Sequence, residues 1–437
     1  MTAPKLRFPE FRDAGAWEER PLGSKTIKVG SGITPNGGEK NYKSKGRPFV
    51  RSQNIGWGCL LLDDVAFIDD ITHSTFSATE INERDVFLNI TGASIGRSAV
   101  ADYRVHGGNV NQHVCIIRAE QSELNPNYLN QYLLSQYGQK QIDSFQAGGN
   151  RQGLNFAQVR SFSLPLTSIE EQQKIADCLS SIDSLIAAET QKLDTLKAHK
   201  KGLMQQLFPA EGETLPKLRF PEFRDSGDWE EHSITKLVKE DILFAPKDGN
   251  HGNLHPKSSD YVDTGIPFVM ANDFKNGAID FSRCTHITKE LADTLQKGFA
   301  KEGDVLLTHK GTVGEVTLIQ QMNFPYLMLT PQVTYYRIKD KSRLSNKFLA
   351  LLFASESFQR VLRAAAGGGT RAYIGITEQG KLKITFSSNI LEQRKIAKCL
   401  SALNELISAQ TQKIATLKTH KKGLMQQLFP AIDEAST

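Results

Sequence analysis

No apolar run in the 437 residues approaches the roughly 18 needed to cross a bilayer; the longest, residues 348–354, has seven. The N-terminal MTAPKLRFPEFRDAG mixes charge and proline with no apolar core of leader length, so the chain is expected to be cytoplasmic. Cysteine is sparse and scattered: Cys59, Cys115, Cys178, Cys284 and Cys399 form no C-x-x-C pair, which argues against a zinc knuckle or redox centre and for reduced structural thiols. G-x-x-x-x-G-K-[ST] does not occur, and no serine is read as a nucleophile elbow, although GASIG at 92–96 has the G-x-S-x-G spacing. His73, His113, His286 and His309 are not read as forming a ligand set or a triad with acids or cysteines, so no metal site and no catalytic group is expected. The excess of 53 basic over 48 acidic residues is too small to imply or exclude nucleic-acid binding, because such footprints are local patches. A composition of 39% apolar and 23% charged residues is globular, and the length favours at least two domains.

What the chain does have is a copy of itself. KLRFPEFRDAGAWEE at 5–19 returns at 217–231 with 13 of 15 positions identical, and residues 171–210 return at 392–431 with 29 of 40 identical. The interiors agree only in outline: RPFV at 47–50 against IPFV at 266–269, Asp85-Val86 and Gly92 against Asp304-Val305 and Gly311, AGGN at 147 against AGGG at 366. One fold with two different polar contents is expected, duplicated into a pseudo-dimer rather than a solenoid.

The better-matched repeat is a long helix. Ile175, Leu179, Ile182, Ile186, Leu193, Leu196, Leu203 and Leu207 alternate at four and three, with Glu189 and Lys200 in the two gaps. Ile396, Leu400, Leu403, Ile407, Ile414, Leu417, Leu424 and Leu428 repeat that seam, with Gln410 and Lys421 in the same gaps. Ser168 with Glu171, and Asn389 with Glu392, read as N-caps with a reciprocal glutamate; Pro209 and Pro430 end the helices. Each seam is most simply buried by the other, antiparallel. The expected architecture is therefore α/β (α+β): two globular domains in pseudo-two-fold arrangement, separated by two long helices forming an antiparallel coiled coil. The boundaries read as 1–165 for the first domain, 166–210 for the first helix, 211–386 for the second domain, and 387–437 for the second helix and tail. That symmetry also expects the chain termini to be neighbours.

Within the domains, strands are expected at 48–50, 85–90 and 114–117, then one helix over 127–145; the second copy gives 267–270, 304–308, 333–338 and a helix over 346–365. Asn125-Pro126-Asn127-Tyr128 is one residue from a methyltransferase N-P-P-Y motif, but no glycine-rich cofactor loop accompanies it, and a capped helix start with Pro at its first position explains it. Residues 20–51 hold eight basic residues against Glu39 alone, and residues 337–383 hold ten against three acids. Glycine-rich stretches come after the late helix in both copies and carry Arg151 and Arg371, whose guanidinium groups suit a phosphate or a guanine edge. The candidate DNA contacts are Lys43, Lys45, Arg47, Arg51, Asn150, Arg151 and Gln152 in the first domain, and Lys310, Thr370, Arg371 and Tyr373 in the second.

Two variable domains, each followed by E-Q-x-K-I-A opening a heptad helix that ends in L-M-Q-Q-L-F-P and preceded by K-L-R-F-P-E-F, resemble the specificity subunit of a type I restriction-modification enzyme over essentially the whole chain. The resemblance implies that each domain reads one half of a bipartite duplex DNA site and that the helices fix the spacer and dock two methyltransferase subunits. It further implies that S-adenosylmethionine, ATP and magnesium belong to partner methyltransferase and restriction-translocase subunits, this chain binding no cofactor. A free-standing methyltransferase with a degenerate motif and a coiled-coil scaffold without DNA contact are the alternative readings.

Overall fold

The computed structural model describes residues 3–35, 37–146, 153–275, 277–367 and 372–430. It divides into two units, residues 1–192 with 410–437, and residues 193–409. Both cuts fall inside the long helices, Ile169–Leu207 and Ile390–Leu428, of 39 residues each.

In the first unit a four-stranded antiparallel sheet has the order Thr26–Ser31, Val114–Ala119, Val86–Asn89, Ser98–Val100. A second sheet sets Arg47–Val50 antiparallel to Ala66–Ile68 and parallel to Asn109–Val110. A third pairs Glu18–Pro21 with Ser163–Leu166, just ahead of the long helix. The second unit repeats this order with other side chains: Lys247–Asp248, Val333–Tyr336, Val305–Thr308, Val316–Leu318 in the first sheet. Ile266–Val269 lies between antiparallel Thr285–Ile287 and parallel Leu327–Leu329, and Glu230–Ser233 pairs with Lys383–Phe386. The mixed strand-and-helix fold expected from the sequence is present twice.

The sparse echoes between the interiors have a physical cause. Asp85 and Asp304 are 1% exposed, and each takes both Nε and Nη2 of an arginine, Arg118 on the neighbouring strand or Arg337 directly after it, at 2.8 Å. Each also accepts the backbone N–H three residues earlier, Asn82 or Lys301, at 2.8 Å. Removing either partner alone would leave a buried charge uncompensated, which holds the pair in both copies, whereas the side chains around it are free to differ.

The two motif repeats explain one another. Arg7 in the first unit forms two hydrogen bonds to the carboxylate of Glu171, at 2.8 and 2.7 Å, and Arg219 in the second does the same to Glu392, at 2.6 and 2.8 Å. Lys174 and Lys395 pair with Glu10 and Glu222, both at 3.0 Å. Gln172 and Gln393 are fully buried and accept the backbone N–H of Asn125 and Ser345 at 2.9 Å. K-L-R-F-P-E-F is thus a clasp, and E-Q-x-K-I-A is its receptor. The glutamates therefore do not close capping boxes as the sequence suggested: Ser168 does cap the N–H of Glu171, but the carboxylate turns away to the arginine, which outbids a backbone N–H through charge. The late helix is also broken where one was expected. It runs Pro126–Leu134 then Gln136–Ser144, and Asn346–Phe353 then Glu356–Ala365, because Ser135 and Ser355 adopt extended backbone and cap the next segment.

Seam packing within the first unit is antiparallel. Asp183 pairs with Lys421 at 2.7 Å, while Glu189, six residues later, meets Lys413 at 2.5 Å and the amide of Gln410, earlier in the second helix. Two of the seam's four polar interruptions, Glu189 and Gln410, are therefore partners: Gln410 also donates to the carbonyl of Glu189 at 2.8 Å. In the second unit Leu203 and Leu207 share one core with Ile396, Leu400 and Leu403. Leu6 N–H donates to Gln427 O at 2.9 Å, and Leu218 N–H donates to Gln206 O at 2.9 Å, so each clasp holds a helix end as well as a helix start. The chain's first and last described segments are neighbours. A permuted chain opened within 211–215, with residue 437 joined to residue 1, should fold with an unchanged unfolding midpoint; a drop beyond about 5 °C would contradict the equivalence of the two clasps.

Candidate nucleic-acid interface

In each unit four loops meet at one end of the four-stranded sheet. In the first, the strand Val86–Asn89 runs on to Ile90, whose N–H donates to His113 O at 3.0 Å and whose carbonyl accepts Leu154 N–H at 2.8 Å. Thr91 bridges Gly153, and its hydroxyl lies 2.5 Å from His113 Nδ1. Asn89 is fully buried and donates to Ser52 O at 2.8 Å, drawing in the turn that carries exposed Gln53. Gly92 has φ +74°, a conformation that glycine adopts at little cost, and the Gln139 amide ties the far side of that loop through Gly96 O at 3.0 Å.

The second unit builds the same rim. His309 N–H donates to Gln332 O at 2.9 Å and its carbonyl accepts Ile374 N–H at 3.1 Å. Lys310 bridges Tyr373, Gly311 has φ +80°, and the Gln359 amide reaches Gly314 O at 2.8 Å. His309 is fully buried; burial pushes its imidazole down to about 4, so it is neutral near pH 7, with Nδ1 2.9 Å from the Thr334 hydroxyl. Its ring and the Lys310 ammonium, 6.0 Å from the Tyr373 ring centre, flank a tyrosine that is half exposed. A cation beside an exposed aromatic face is suited to phosphate and base contact.

The candidate contacts separate by place. Lys310 and Tyr373 lie together on the rim. Asn150, Arg151, Gln152, Thr370 and Arg371 lie outside the described residues; Gly153, next to the first set, is on the rim, as is Tyr373, two residues after Arg371. Lys43 and Lys45 are exposed, Lys43 facing Asp69 at 3.5 Å. Arg47 spends its guanidinium on Asp70 at 2.6 Å, Glu80 at 3.5 Å and Gly107 O at 2.8 Å. Arg51, with 14% of its side chain exposed, donates to Asp64 O at 2.8 Å and stacks on Tyr42. Thr91, Gln53 and Gln332 were not singled out by the sequence, and His113 was weighed there only as a metal or catalytic group; the repeated Gly92 and Gly311 and the glycine-rich stretches were the signals near them. Among the described residues no group of three His, Cys, Asp or Glu is placed to hold a metal ion, and no helix is long and apolar enough to cross a membrane.

Residues 17–198 and 240–419 match the family model described as type I restriction modification DNA specificity domain. A Methanocaldococcus jannaschii chain named as the MjaX type I restriction enzyme specificity subunit is 24% identical over 428 residues, covering 94% of this chain and 92% of that one. The MjaVIII specificity subunit of the same organism is 23% identical over 276 residues, 62% of this chain and 61% of that one. The crystal structure of a type I restriction-modification S subunit from M. genitalium matches with a TM-score of 0.59 at 14% identity, over 99% of this chain and 100% of that one.

Proposed function

The chain belongs to the type I restriction-modification DNA specificity family, and on that premise we propose that each of its recognition domains, 1–165 and 211–386, reads one half of a split duplex site through the loop rim at the end of its four-stranded sheet. The observation that carries this reading is that one framework presents different side chains at equivalent rim positions, Thr91 and Gly153 in one unit, Lys310 and Tyr373 in the other. Reading bases needs such replaceable groups on a fixed frame. The chain supplies specificity; adenine methylation, with S-adenosylmethionine, and ATP-driven cleavage fall to partner subunits.

Two copies of one methyltransferase subunit would need two like surfaces, and exposed positions of the helices supply them. Lys197, His199, Lys201 and Gln206 in the second unit, and Lys418, His420, Lys422 and Gln427 in the first, are identical and exposed. Nearer the helix starts, exposed Gln173, Asp177, Ser181 and Ser184 become Arg394, Lys398, Ala402 and Glu405. Packing does not require identity at exposed positions, so a shared partner accounts for it where it persists.

The test is duplex affinity as a function of salt. Lys310→Ala should lower the slope of log affinity against log salt by about one. Arg47→Ala should leave the slope unchanged and reduce thermal stability instead, because its charge is spent on Asp70 and Glu80. A flat salt response of the unmodified protein would favour a scaffold without DNA contact, and saturable S-adenosylmethionine binding by the isolated chain would favour a methyltransferase.

A further inference from the structure

The second unit contains a cavity of 440 Å³ walled by Phe208, Phe358, Leu382 and Ile384, and lined also by Ser357, Val361 and Ala365 of the helix Glu356–Ala365. The first unit shows what the same place holds when it is filled. There the three helix positions are Tyr137, Gln141 and Phe145 of Gln136–Ser144 and the residue after it. Phe145 stacks on Phe162, ring centres 6.0 Å apart, and Tyr137 donates to Gln426 O at 3.3 Å. Between the rings, the Gln141 carboxamide makes two hydrogen bonds to the backbone of one residue: Ser163 N–H donates to Oε1 at 2.7 Å, and Nε2 donates to Ser163 O at 3.0 Å.

In the second unit all three fillers have shrunk. Lys383, at the strand position of Ser163, lines the cavity, and Val361 has no carboxamide with which to serve its peptide. The charges at the mouth are each met by a partner: Lys383 pairs with Glu231 at 3.2 Å, Lys381 with Glu378 at 2.7 Å, and Glu211 faces Arg360 at 4.0 Å. A neutral occupant is therefore favoured over an ion. Apolar walls with aromatic rings, a mouth whose charges are paired and one residue's backbone without the carboxamide partner of its counterpart define a chemical class.

We infer that this cavity is a binding site for a small uncharged molecule in which an aromatic ring carries a carboxamide, seated as Phe145 and Gln141 seat themselves in the first unit. The ring fills the space above Ala365 and Leu382. The carboxamide takes the Lys383 N–H and gives its own N–H to the Lys383 carbonyl, as Gln141 does for Ser163. The site is independent of the DNA-reading rim and does not rest on it.

The probe is benzamide, monitored by ligand-observed and protein-observed NMR on the full chain. One saturable site per chain is expected, with Kd on the order of 1 mM, the affinity a ligand of that size can reach. The double variant Val361→Gln/Ala365→Phe, which copies the first unit, should weaken binding at least tenfold while unfolding no earlier than the parent. Ser357→Tyr alone is a second block should the double variant fail to fold, and it should have the same effect. Benzoate and toluene, lacking the neutral amide or any amide, should bind at least several-fold more weakly. Absence of saturable binding, binding unchanged by both blocks, or equal binding of toluene would each overturn the assignment.

Discussion

Replacing Arg219 by alanine should lower the stability of residues 193–409 by about 3–5 kcal/mol, the cost of leaving a buried carboxylate without its cation. Glu392 keeps only 1% of its side chain exposed, and Arg219 meets both its oxygens while also donating to Gly227 O at 2.7 Å. Alanine removes the countercharge, both hydrogen bonds and the tether of the clasp at once. Arg219→Lys should recover part of the loss, since an ammonium restores the charge but not the fork. Glu392→Gln placed on the Arg219→Ala background should also recover part, because the buried group is then neutral. The equivalent change, Arg7→Ala, should act alike on the first unit through Glu171. Denaturant midpoints measure all four; a loss below about 1 kcal/mol, the range of a solvated surface pair, would show that the clasp is not what closes each unit.

Four residues inserted after Thr190 should change the distance between the two half-sites and leave the half-site sequences as they were. An added helical stretch of that length extends the helix by about 6 Å and turns its downstream part by about 40°. Against a rise of about 3.4 Å per base pair, that corresponds to a gap longer by one or two base pairs. Thr190 is exposed and sits directly after Glu189, whose contacts with Gln410 and Lys413 hold the register. The insertion leaves those contacts, and the rims at Thr91 and Lys310, unaltered. The readout is the recognised motif; an unchanged gap would deny that helix length sets it.

The long helices, their seam and the clasp motifs were legible in the sequence because their signals are local or repeated. Glu189, Lys200, Gln410 and Lys421 were visible as paired interruptions, though only the structure shows Gln410 on Glu189 and Lys421 on Asp183. Sheet order was not legible, since it depends on pairings such as Val86 with Ile117 that no local pattern encodes. The basic run at 20–51 pointed at Arg47 and Arg51 because a linear count of charge cannot see Asp70, Glu80 and Asp64 folding onto them. Glu171 and Glu392 were read as capping residues for the same reason: their arginines lie 164 and 173 residues away. Thr91 and His113 become neighbours through two strands of one sheet, so that part of the rim had no signature beyond a repeated glycine, whereas the glycine-rich stretch at 366 pointed to Tyr373.

The most direct test is a map of methylated adenines in the genome of cells carrying this chain with its partner subunits, and in cells from which this chain alone is deleted. The account predicts a single split motif, two short defined halves around a gap of fixed length and undefined sequence, lost with the deletion. A continuous motif, a motif with one half only, or a split motif that persists without the chain would contradict it.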